Sequence, residues 1–274
     1  MHPIDIHRFI IRPASQLNLK DWGTQPENST HSTQEWCDPH MKLLGEQLDK
    51  LQNRLHASQA KGLLVVLQGM DTSGKDGVIR KVFSHTSPLG VRAEAFGVPN
   101  QLEAAHDFLW RVHSKVPRRG EMVIFNRSHY EDVLTPSIQG FLDPHACEAR
   151  YRHINHFEAM LIDEGIDIVK IFLHISKDEQ KNRLQSRLAD PNKHWKLQES
   201  DFTDRKKWDA FQVAYETLIT TTTTEDAPWH VIPADVKPFR DVVVGSIIVS
   251  RLEAMKLDLP PCTLDLAKLR KTLQ

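Results

Sequence analysis

Residues 63–77 read LLVVLQGMDTSGKDG: an apolar run of strand length, a glycine-bounded turn, and a lysine that opens a helical stretch. Residues 69–75 fit G-x-x-x-x-G-K, and their flanks supply the strand and helix that this phosphate-binding loop requires. Loop N–H groups and the helix N-terminus bind phosphate oxygens, while Lys75 adds a compact positive charge. Two carboxylates are unexpected in a loop made for anions. Asp76 stands where the usual pattern has a Ser or Thr that reaches magnesium, and either caps the first helical turn or partners a metal. Asp71 lies inside the loop; if it is not simply solvated, it needs a cation between itself and the phosphates or an acceptor to position.

Around this loop the chain alternates apolar runs with amphipathic stretches. Candidate strands are 63–68, 91–96, 121–126, 167–174 and 229–233. Apolar runs of this kind suit a parallel sheet covered on both faces, so the expected fold is α/β, a three-layer α/β/α sandwich with ligands at the carboxyl ends of the strands. Residues 20–40 are polar and turn-rich and read as an irregular arm. Leu44, Leu48, Leu51 and Leu55 then mark one face of a helix. Ser176 and Glu179 have capping-box spacing before a helix that Pro191 stops. The threonines at 220–224 suggest a short β-prone or loop segment. The expected organisation is an N-terminal arm and helix over 1–60, a P-loop domain over 61–257 with a lid at about 183–207, and a tail over 258–274.

The 274 residues are 40% hydrophobic and carry a formal net charge of -1, so a polyanion must be met by local clusters; nucleic-acid and membrane-surface binding are not expected. Cys37, Cys147 and Cys262 lie far apart with no metal or disulfide spacing, and no leader or spanning segment is evident, which points to the cytoplasm.

A second cluster follows the strand at 121–126: Asn126, Arg127, Ser128, His129, Tyr130, Glu131, Asp132. In P-loop proteins a neighbouring strand commonly ends in an Asp that holds magnesium; Asn126 takes that place as a neutral oxygen ligand. Arg127 suits bidentate phosphate binding, whereas Glu131 and Asp132 are either site acids or an ordinary acidic first turn. His129 reads as a packing or hydrogen-bonding residue.

The strings QGMDTSGKDG, GVPNQLEAAHDFLWRVHSKVPRRGEMVIFNRSHYEDVL, FLHISKDEQKNRLQSRLADPNKHWK and APWHVIPA, in that order from about 61 to 257, resemble the polyphosphate kinase 2 family. That resemblance implies a thymidylate-kinase-like P-loop fold with a helical lid, and phosphoryl transfer from inorganic polyphosphate to AMP or ADP. It implies a magnesium requirement, with manganese as a substitute, and a homo-oligomer, dimer or tetramer. Asp71 and Lys75 match catalytic positions, and Asn126 and Arg127 match the metal and phosphate cluster. Catalysis is therefore expected from Asp71, Lys75, Asn126, Arg127, Glu131 and Asp132, with metal held by Asp71, Asn126, Glu131 and Asp132. Thr72 and Ser73 depart from the small pair common in the subgroup that uses both nucleotides.

Polyphosphate needs a basic track. Arg183 and Arg187 share a helix face, and Gly74, Lys75, Asp76, Gly77, Arg80 and Lys81 complete the expected polyphosphate site. Residues 177–207 hold nine bases and six acids, which equally suits a solvated face. Asp107 and Arg111, four apart, can form an intrahelical ion pair; by resemblance they flank the nucleotide, with Arg111 and Arg127 on its phosphate. The competing readings are an ATP-dependent nucleoside monophosphate kinase and a non-catalytic nucleotide-binding protein.

Overall fold

The computed structural model describes residues 3–273. Its strands are β1 (Ile10–Ile11), β2 (Gly62–Gln68), β3 (Val91–Ala95), β4 (Met122–Asn126), β5 (Ile166–His174) and β6 (Trp229–Pro233), in one sheet ordered β1-β6-β5-β2-β4-β3. All pairings are parallel except β1 on β6. β2 lies between β4 and β5 and is buried at every position, which is why its sequence is almost wholly apolar. β3 differs from the expectation of a fully covered strand. It lies at the sheet edge and is half exposed, and Arg92 and Glu94 pair along it at 2.5 Å.

The helices are α1 (Gln34–Ser58), α2 (Lys75–Val82), α3 (Gln101–Ala104), α4 (Trp110–His113), α5 (Glu131–Gln139), α6 (Pro144–Asp163), α7 (Lys177–Ala189), α8 (Glu199–Lys206), α9 (Trp208–Thr222), α10 (Lys237–Ala254) and α11 (Leu266–Thr272). Helices α1, α2 and α10 pack together as one layer and α5, α6 and α9 as the other, giving the three-layer sandwich. Among the described residues no helix is long and apolar enough to cross a membrane.

Three local expectations are corrected. The arm at 20–40 is not irregular throughout, because α1 starts at Gln34 under a Thr33 cap and runs through Pro39. Burial of Cys37, Met41, Leu44 and Leu48 outweighs the one hydrogen bond the proline removes. The arm is also pinned: Leu19 accepts from His174 Nε2 at 3.0 Å, and Thr24 bonds Asp235 at 2.7 Å. Thr220–Thr222 lie in the last turn of α9, where the Thr222 hydroxyl donates back to Leu218 O at 2.7 Å and accepts from the Trp229 indole at 2.8 Å. Only half of the capping box forms. Ser176 Oγ accepts from the Glu179 N–H at 3.0 Å, but the Glu179 carboxylate pairs with Arg183, and the Ser176 N–H goes to Asp235.

Candidate active site

The chain leaves β2 at Gln68 and enters α2 at Lys75 through a loop with three left-handed residues, Gly69 (φ 149°), Thr72 (φ 64°) and Gly74 (φ 105°). Gly74 sits at a φ that strains any side chain, and a Cβ there would also have to displace the Arg240 guanidinium. A β-branched residue at positive φ, as Thr72 is, stores backbone strain and persists only where the surroundings hold it.

Arg183 supplies that hold. Its Nη1 donates to Thr72 O at 2.9 Å and Ser73 O at 2.8 Å, Nη2 to Ala234 O at 2.6 Å and Asp235 O at 3.0 Å, and Nε to Glu179 at 2.7 Å. Arg240, clamped by Asp241, adds a 3.4 Å contact to Ser73 O. With its donors all taken and only 7% exposed, Arg183 is a staple under the loop rather than the open polyphosphate ligand that its spacing from Arg187 suggested. Lys75 is buried and curls onto Gly69 O at 2.6 Å and Met70 O at 3.3 Å. Burial and then the Arg127 charge push its pKa down, against Asp71, Glu131 and Asp76.

The segment after β4 is tied residue by residue to separate elements. Asn126 Nδ2 donates to Asp76 at 2.7 Å, Arg127 to Asp71 at 2.8 Å, and Gln68 shares a 3.1 Å bond with Ser128. His129 and Tyr130 both reach Glu158, Thr135 donates to Glu131 at 3.3 Å, and Arg111 takes both Asp132 oxygens at 2.9 and 3.0 Å. Turned with its nitrogen toward Glu131, the Gln68 amide also donates there at 3.0 Å. Arg127 itself sits at φ 61°, a second strained non-glycine residue facing the loop.

Asp76 thus accepts from Asn126 and, at 3.4 Å, from Lys196. Burial works against its charge, but the Asn126 amide and Lys196 outweigh it and hold the carboxyl below its ordinary range. Arg127 keeps its charge despite burial because Glu131 and Asp71 face it. Glu131 is pushed up, by burial first, despite Arg127 and Lys75. Asp132, too, is raised by burial against the pull of Arg111. Asp201 and Asp204 on α8 are raised by burial and then by the Asp71 charge.

Two cavities meet at this seam. One, of about 400 Å³, is lined by the loop from Asp71 to Gly77 together with Asn126, Arg187, Trp195 and Lys196. The other, of about 440 Å³, is lined by Arg111, Glu131, Asp132 and Asp204 among its polar residues and by Val98, Pro99, Pro136, Phe141 and Phe211 among its apolar ones. Asp71, Arg127, Phe96, Gly97 and Gln198 line both.

Several expected site residues stand elsewhere. Arg80 and Lys81 are exposed at the far end of α2 and line neither cavity. Asp107 caps the Leu109 N–H at 3.0 Å beside a separate cleft, and its expected pair with Arg111 does not form because Asp132 takes that guanidinium. Asp132 is correspondingly committed to Arg111 and is not an open metal ligand. Sequence reasoning missed Asp201 and Asp204, whose three-residue spacing on a helix is their one local signal, and Arg240, which carries none.

A family model described as polyphosphate kinase 2 (PPK2) matches residues 32–260. The chain is 46% identical to an AMP/ADP-polyphosphate phosphotransferase of Meiothermus ruber over 92% of its own length and 95% of that protein's. It is 35% identical to an ADP-polyphosphate phosphotransferase of Rhodopseudomonas palustris, covering 95% and 94%. The crystal structure of polyphosphate kinase 2 from Arthrobacter aurescens TC1 superposes with a TM-score of 0.93 at 36% identity, covering 100% of this chain and 96% of that one.

Proposed function

The chain belongs to the polyphosphate kinase 2 family, and from that premise we propose that it transfers the terminal phosphoryl group of inorganic polyphosphate to AMP or ADP. The observation that carries the reading is the pair of cavities joined at Asp71 and Arg127, one walled by the phosphate loop and basic residues, the other by Arg111, acids and an apolar face. Polyphosphate lies along the first, against the loop amides, Lys75, Arg187 and Lys196, under a lid formed by α8 and the turn before it. A nucleotide enters the second, its phosphate toward Arg127 and its base on the apolar wall.

The acceptor's terminal phosphate oxygen attacks the end phosphorus in line as the P–O bond to the next phosphate breaks, leaving the nucleotide one phosphate longer and the polymer one shorter. That oxygen is already ionised near neutral pH, so no general base is needed. Arg127 bridges donor and acceptor, and Lys75 leaves its loop carbonyls for a phosphate oxygen, so positive charge meets the transferring group from both sides.

A divalent cation fits the donor set. Asp71 Oδ2 makes no hydrogen bond among the described residues, and Glu131, Asp201 and Asp204 lie within reach of its charge; burial first, and then the Asp71 charge at Asp201 and Asp204, raises their pKa values, so a cation beside Asp71 offsets both the lost hydration and the repulsion. Magnesium takes one or two carboxylates and completes its shell with phosphates and water, a demand that Asp71 and one neighbouring oxygen ligand meet. Asp71, with Asn126 or Glu131, would hold it; when bound it neutralises phosphate charge, and manganese can take its place.

The test supplies protein, magnesium and AMP with either polyphosphate or ATP as sole donor. ADP and then ATP formed from polyphosphate alone is the expected result. Product formed only when ATP is supplied would transfer the assignment to a nucleoside monophosphate kinase.

A further inference from the structure

Beneath the site lies a charged group that phosphoryl transfer does not use. Lys170, in the middle of β5, is wholly buried, and its Nζ donates to Glu158 Oε2 at 2.7 Å and to Thr222 O at 2.6 Å, beside the Tyr130 and Trp229 rings. The second Glu158 oxygen accepts from the Tyr130 hydroxyl at 2.6 Å and contacts His129 Nε2 at 3.2 Å. An ion pair in this position is expensive to desolvate, and apolar residues of similar volume would pack the core at no greater cost. Stability alone therefore gives no reason for it.

Its location does. Ser128, which bonds Gln68, and His129 and Tyr130, which reach Glu158, face inward in the segment that presents Arg127, Glu131 and Asp132 to the second cavity, and Arg127 is held there at positive φ. Two of the segment's outward ties, Asn126 to Asp76 and Arg127 to Asp71, are made to groups that substrate phosphates compete with, while a third joins Asp132 to Arg111. Glu158 gives it an inward tie that substrate cannot reach. We propose that Glu158 and Lys170 are positioning residues that hold the 126–132 turn rigid, so that Arg127 stays aimed at the seam of the two cavities when phosphates displace its bond to Asp71. The proposal rests on the functional reading above for its catalytic consequence, but not for its structural one.

The test replaces the pair by E158M/K170M, and separately removes one hydroxyl with Y130F, which preserves volume. Amide hydrogen exchange should accelerate in 126–132 in both variants, with the remainder of β2, β4 and β5 unchanged. In the same proteins kcat for AMP should fall by about ten- to a hundredfold, the scale of a misplaced catalytic group. E158Q/K170M, which keeps an amide oxygen for the Tyr130 hydroxyl, should recover most of that loss. Exchange in 126–132 that stays at the wild-type rate, or rises only in step with the whole sheet, would overturn the proposal. So would a kcat per folded molecule equal to wild type. Wild-type protein run alongside separates the two readings: if it moves no phosphate from polyphosphate, the function is wrong, and the exchange rates still decide the anchor.

Discussion

Arg183→Lys separates two roles for the same residue. A polyphosphate ligand on an open track would lose little on becoming lysine, since the charge is kept and the protein without substrate would be as stable as before. The loop staple loses much more. Five acceptors, Thr72 O, Ser73 O, Ala234 O, Asp235 O and the Glu179 carboxylate, are served by one planar guanidinium. An ammonium has three donors radiating from one atom, so at least two of the five acceptors, at least one of them a carbonyl, lose their partner, at about 1–3 kcal/mol each. A loss of about 3 kcal/mol lowers Tm by roughly 5 °C in a chain of this size. Calorimetry without any substrate measures it directly, and kcat should fall with Tm because Thr72 loses its restraint. A substrate-free Tm within about 2 °C of wild type, well short of that expectation, would refute the staple.

Asp71→Asn should lower kcat by about two orders of magnitude while the thermal midpoint moves little, because the loop backbone is unchanged; turnover within a few-fold of wild type would remove Asp71 from the reaction. Asp76→Ser frees Lys196 and removes a carboxylate from the donor cavity, so KM for polyphosphate should fall about two- to fivefold, the value of an exposed pair, with little change in Tm; a higher KM would contradict the assignment. His230 bonds Lys170 O at 3.1 Å through Nδ1, and burial depresses its pKa to about 4. The unfolded chain binds that proton at about 6.5, so stability attributable to His230 is full above that pH, falls by about 3 kcal/mol as pH drops toward 4, and then levels off. Denaturant titrations of His230→Gln should be flatter than wild type between these limits, and parallel curves would exclude the linkage.

What was legible in the sequence is what is local in the chain. The phosphate loop was readable because its strand, glycines, lysine and helix are consecutive, and the cluster at 126–132 because it follows a buried strand directly. Arg183 and Arg187 show where such reading stops. Four-residue spacing put both on one helix face, yet Arg183 is buried because the 234–235 backbone and the loop close over it, and both segments are distant in sequence. Asp107 and Arg111 fail in the same way, since a helix spacing gives a pair its opportunity but Asp132, twenty-one residues on, has the better geometry. Glu158 and Lys170, twelve residues apart, went unread because they lie on different elements and their partners, Tyr130 and Thr222, are distant in sequence. Each looks like an ordinary helix acid or a stray strand lysine until α6 and β5 are packed side by side. A buried lysine in a central strand is nevertheless a question the sequence does pose, because no apolar core needs one. Its answer requires knowing which segment its counter-ion also holds, and that segment carries Arg127.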